Sequence, residues 1–175
     1  MKTKARLGFI LIVLFQVLIL VGWTGYNEIS LATGKQVVLQ TVPVDPMDIF
    51  RGEYVQLRYE ISTLTNIPGV GTIHFRDTVY VHLEQDGEVW KATEVSKNKN
   101  PDWEYFIAGK MEGGFGNQVN ITATITYGIE QYFVPEGKGM EIQNAQDIKV
   151  RVVINGAGQA FIKGLIVDGE PFQLN

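Results

Sequence analysis

The chain has 175 residues, 45% hydrophobic and 11% aromatic, with a net charge of −4, a composition that suits one domain with its own core plus an appendage. It is too rich in aromatic residues for a disordered chain and too acidic for a nucleic-acid binder. With no cysteine present, thiol catalysis, Cys-ligated zinc and a disulfide framework are excluded.

In chain order, the first element is an apolar run. Leu7 to Trp23 is interrupted only by Gln16 and two glycines, and extension to Tyr26 gives 20 residues. At about 1.5 Å per residue such a helix spans roughly 30 Å, the thickness of a bilayer core. Trp23 and Tyr26 stand where an interfacial aromatic belt would lie. Lys2, Lys4 and Arg6 precede the run without any acidic residue, so the positive-inside rule keeps the N-terminus cytoplasmic and sends the remainder across. The expected organisation is a cytoplasmic tip and transmembrane anchor over residues 1–26, a linker over 27–34, and an extracytoplasmic β-rich domain over 35–175. The alternative is a secreted protein released by cleavage near Ala32, because Ser30 and Ala32 are small residues at the positions a signal peptidase reads.

Beyond the linker, period-two alternation predicts strands. Val55, Leu57, Tyr59 and Ile61 share one face, with Tyr54, Gln56, Arg58 and Glu60 on the other. Val79, Val81 and Leu83 alternate with Tyr80, His82 and Glu84, and Asp86-Gly87 signals a two-residue hairpin returning over about Glu88–Val95. Val119 to Tyr127 gives the cleanest alternation. Ile148 to Ile154 and Gln159 to Val167 read as strands around the Gly156-Ala157-Gly158 turn, and Asp168-Gly169 turns the chain once more. Residues 66–71, 98–102, 113–116 and 135–139 carry loop-forming residues. A short helix is expected over about Met140–Gln146. Eight or nine short strands predict a mainly β fold: an antiparallel barrel or sandwich-like domain behind a single transmembrane helix.

The segment Gly52-Glu53-Tyr54-Val55-Gln56-Leu57-Arg58-Tyr59 resembles the signature of the GDYXXLXY protein family. Gly52, Tyr54, Leu57 and Tyr59 match it, and Glu53 replaces aspartate with one more methylene. The preceding stretch Pro43 to Arg51 and the later stretch Tyr127 to Gly137 also look like this family. The resemblance implies a bacterial membrane-anchored protein without an established activity, with a multi-span membrane protein as a plausible partner. The residues also have a physical reading. Gly52 permits a bend before the strand, Glu53 can accept backbone N–H bonds in the turn, Leu57 and Tyr59 face the core, and Tyr54 with Arg51 or Arg58 offers a surface.

Other groups carry weaker chemistry. Asp45, Asp48 and Glu53 cluster in sequence, but calcium takes six to eight oxygens in a defined loop, so an Asx-stabilised turn is the simpler expectation and no metal is expected. Glu130 and Glu136 could form an acid–base pair for glycoside hydrolysis only if they converge in space. Tyr127, Tyr132 and Phe133 beside them could stack on a polysaccharide. His74 and His82 lack a third zinc ligand, Ser62 has no Ser-x-x-Lys pattern, and Gly137-Lys138-Gly139 lacks the spacing of a phosphate loop, so no cofactor is expected. The leading expectation is a non-enzymatic protein held in the lipid bilayer by residues 7–26, whose β-domain binds another membrane or envelope component. The alternatives are an envelope hydrolase using Glu130 and Glu136 and a polysaccharide-binding module.

Overall fold

A computed structural model describes residues 2–42, 54–116, 121–135 and 138–173. It divides into two compact units, Met1–Gly34 and Lys35–Asn175. The first is one helix, α1 (Lys2–Ala32). The helix continues past Tyr26 through most of the expected linker, for no proline or paired glycine interrupts Asn27 to Ala32; it stops before Thr33-Gly34, where glycine favours termination. From Phe9 to Trp23 its large apolar side chains are exposed.

The second unit is mainly β. In chain order the strands are β1 (Lys35–Gln40), β2 (Tyr54–Gln56), β3 (Thr63–Thr65), β4 (Thr78–Asp86), β5 (Val89–Ser96), β6 (Phe106–Gly116) and β7 (Ile121–Thr126), then β8 (Gln131–Phe133), β9 (Ile148–Ile154), β10 (Ala160–Val167) and β11 (Glu170–Pro171). A single turn of helix, α2 (Gly139–Gln143), precedes β9; it is shorter than the expected 140–146. The sheets run in the orders β1-β9-β10-β11, β2-β8 and β3-β7-β6-β4-β5. All pairs are antiparallel, and the arrangement is a nearly closed barrel. Alternation explains the closure: Val37, Leu39, Val150, Val152 and Leu165 from one sheet meet Val79, Val81, Leu83, Ile107 and Ile125 from another in one core. The β9–β10 turn seals against β6 through the Ala108 N–H, which donates to the Gly158 carbonyl at 2.8 Å.

Several expectations shift by a few residues. The expected strand 54–61 keeps its alternating burial, with Val55, Leu57, Tyr59 and Ile61 all buried. Regular pairing stops at Gln56, and a 3-10 turn forms at Glu60–Ser62. The reason is a change of partner. Tyr54 to Gln56 pair with Phe133 to Gln131 of β8, whereas the Arg58 carbonyl accepts from Val42 and Tyr59 bridges to Thr41 after β1. Residues 113–116, expected as a loop, lie within β6, where a register shift falls between Met111 and Gly113. At the β4–β5 hairpin Asp86 pairs with Val89, so the turn residues are Gly87-Glu88, one later than expected. Gly87 has φ +64°, the left-handed geometry that glycine supplies at the first position of a II′ turn. At the β10–β11 turn both Asp168 and Gly169 have positive φ (49° and 89°), the I′ geometry that Asp-Gly favours.

Candidate functional site

Tyr54 to Tyr59 lies against the turn Tyr127–Glu130. Two tyrosines make the join in opposite directions. The Tyr59 hydroxyl donates to the Ile129 carbonyl at 2.6 Å, and the Tyr127 hydroxyl donates to the Ile61 carbonyl at 2.6 Å. Both rings are buried, Tyr59 to 1% exposure, so each hydroxyl needs its carbonyl and each carbonyl its hydroxyl. Burial pushes both phenols well above their ordinary titration range, and the nearby Glu130 charge adds to the effect.

Glu130 holds the turn itself. Its Oε1 accepts from the Tyr127 N–H at 2.5 Å and its Oε2 from the Gly128 N–H at 2.9 Å, while its carbonyl accepts from Leu57 N–H at 2.7 Å. Gly128 takes φ +79°, which a side chain would strain. The carboxylate proposed as a hydrolytic group therefore has both oxygens on its own backbone. Its proposed partner Glu136 lies outside the described residues, as do Asp45, Asp48, Arg51, Gly52 and Glu53. Arg58 is exposed and Leu57 buried. No group of three or more His, Asp or Glu that could hold a metal occurs among the described residues.

The same turn opens onto a groove of about 370 Å³ between β8 and β10. Gln131, Tyr132 and Phe133 form one wall, Ala160, Phe161 and Ile162 the other, and Gly128 and Ile129 the end. Its character is aromatic and uncharged. Phe133 is 68% exposed and Phe161 37%, and Tyr54 meets Phe133 edge-on at 6.0 Å between ring centroids. Partial burial raises the Tyr132 phenol above its ordinary range. The arrangement can stack flat apolar or sugar faces and offers the Gln131 amide for hydrogen bonding; among the described residues that line it there is no acid–base pair. Tyr54, Tyr132 and Phe133 were visible in the sequence. Phe161 was hidden within an all-apolar stretch, where only its place opposite Ala160 and Ile162 in the alternation marks it as outward-facing.

A family model described as GDYXXLXY protein matches residues 16–165, which is most of the chain. No curated protein and no solved structure matches it.

Proposed function

This chain belongs to the GDYXXLXY protein family, and on that premise we propose that it is a single-pass membrane protein with a cytoplasmic N-terminus. Its extracytoplasmic β-domain acts without catalysis, as a binding or assembly partner of another membrane or envelope component. The observation that carries this reading is the apolar helix. The window Gly8–Gly25 is long and apolar enough to cross a bilayer, and none of it is buried. Each exposed Leu, Ile or Phe costs about 1.5–3 kcal/mol relative to an apolar surrounding, so lipid is the natural environment for this helix. The test is alkaline carbonate extraction of membranes containing the full chain. The reading expects retention in the pellet at full length. Release into the supernatant, or a mature N-terminus beginning after Ala32, overturns the anchor.

The partner surface of this reading is the groove between β8 and β10, whose exposed Phe133 and Phe161 stand apart from the otherwise polar exposed residues of these strands. Phe133→Ser is expected to reduce recovery of membrane or envelope partners in a mild-detergent pull-down at least severalfold, with folding unchanged. A second reading, polysaccharide binding, draws on the same uncharged aromatic walls. It is separated from the first by co-sedimentation of the protein with insoluble cell-wall glycan, which only the second reading expects Phe133→Ser to abolish.

A further inference from the structure

A second aromatic cluster lies outside the barrel's main core, on β4–β6. His82 of β4 is paired in register with Glu94 of β5 and with Phe106 of β6. Its ring stacks on Trp103, with centroids 5.1 Å apart and planes at 14°. Its Nδ1 lies 3.0 Å from Thr93 Oγ1 and 3.7 Å from Glu84 Oε1. Trp103 is only 8% exposed although it sits in a surface loop. Tyr80 meets Phe106 edge-on at 6.0 Å, which completes the cluster.

Trp103 belongs to the segment 97–105 between β5 and β6. The ends of this segment are tied down by polar contacts: Lys97 pairs with Asp77 at 2.8 Å, Lys35 with Glu104 at 3.2 Å, and the Leu83 N–H donates to the Tyr105 carbonyl at 2.9 Å. Lys99 donates to the Gly156 carbonyl at 2.8 Å. The middle turn is closed locally, by Trp103 N–H and Asp102 N–H donating to Asn100, and it is seated on the sheet where the indole meets His82.

We propose that His82 and Trp103 form a proton-dependent latch that tightens segment 97–105 onto the sheet as the imidazole takes up a proton. In the cation, Nδ1–H donates to Thr93 Oγ1, the Glu84 carboxylate 3.7 Å away is a charge partner, and the positive ring lies against the face of an indole, the aromatic group that attracts cations best. Charged residues flank it on its own strand and on β5. Glu84 on its own strand and Glu94 on β5 are negative, β6 presents the uncharged Phe106, and the opposing Lys99 sits over the Phe106 ring at 4.9 Å. Loss of the proton removes the attraction to Glu84 and to the indole face, and leaves the ring stacking and the Thr93 hydrogen bond, which a neutral imidazole also makes. Histidine side chains as a class change charge between about pH 5 and 8.

The experiment is a two-dimensional NMR titration of the full chain in detergent micelles over that range. It follows the Trp103 indole N–H, assigned by its loss in Trp103→Phe, together with the His82 ring. The indole resonance is expected to move with the His82 midpoint, and protection of the 97–105 amides, corrected for intrinsic exchange, to rise about two- to fivefold on the acid side. His82→Gln is expected to flatten the response. Glu84→Gln, which changes only an exposed residue, is expected to move the midpoint down. His74→Gln is the control, since His74 also contacts this segment through Lys97, and it is expected to leave the response intact. An indole that stays still while His82 titrates, a response that survives His82→Gln, or one that disappears with His74→Gln overturns the latch.

Discussion

The hydroxyls of Tyr59 and Tyr127 cross-link two segments that no local pattern connects. Each bond spans more than 60 positions of sequence. Removing one hydroxyl leaves a buried carbonyl without a donor, so Tyr59→Phe is expected to lower unfolding free energy by about 1–3 kcal/mol in urea titration. Tyr127→Phe is expected to behave alike, and the double variant to be non-additive because the two bonds hold the same pair of segments. A pH effect follows with a definite sign. Both phenols titrate higher in the folded protein than their ordinary 10.0. Their contribution is therefore complete below about pH 10, where the unfolded chain keeps its protons too, and is lost as pH rises beyond it at about 1.4 kcal/mol per pH unit for each group. Alkaline denaturation followed by circular dichroism is expected to be less steep in Tyr59→Phe. At this scale the sequence was half legible. Alternation placed Leu57 and Tyr59 inward, since burial follows period two even where regular pairing ends. The reciprocal role of Tyr127 and the turn-holding role of Glu130 were not legible, because they depend on which distant carbonyl or N–H the fold brings alongside.

Among the elements, β6 shows why glycine can mislead. Gly109, Gly113 and Gly114 resemble loop residues, yet they lie in the eleven-residue strand that joins β4 to β7. At Gly109 a Cβ would stand 2.6 Å from Ile125 Cγ2 and 2.7 Å from the Thr126 carbonyl oxygen, so only glycine lets the two strands approach there. Gly109→Ala is expected to destabilise by about 1–3 kcal/mol through overpacking, measured as a lower urea midpoint with little change in slope. Gly158 has the same need for a different reason. It combines φ +87° with a Cβ position 2.9 Å from the Phe106 ring, and Asn155 holds the turn by accepting from the N–H groups of Ala157 and Gln159, both at 2.9 Å. Long strands joined by glycine-containing turns (β4 with β5 at Gly87, β9 with β10 at Gly156-Ala157-Gly158) were readable because pattern and punctuation agree to within one residue. The three-residue strands β3 and β8 were not, since so short a segment holds too little alternation to register; β1, though longer, reads Lys35-Gln36-Val37-Val38-Leu39-Gln40, and Val38 breaks its period.

At the level of the whole molecule, two features stand out: a helix whose apolar window Gly8–Gly25 is unburied, and an aromatic groove between β8 and β10. The first was fully legible, because a long apolar run behind basic residues is a compositional signal that needs no tertiary context. The second was legible only through its individual aromatics, since a groove is a property of two segments about thirty residues apart. The central claim is that residues 7–26 cross a membrane and leave the β-domain on its outer side. The absence of cysteine makes single-cysteine labelling a clean measurement. Lys4→Cys and the exposed Asn98→Cys are treated separately with a membrane-impermeant maleimide on intact spheroplasts. The account predicts labelling at position 98 before lysis and at position 4 only after it; labelling at position 98 only after lysis contradicts it.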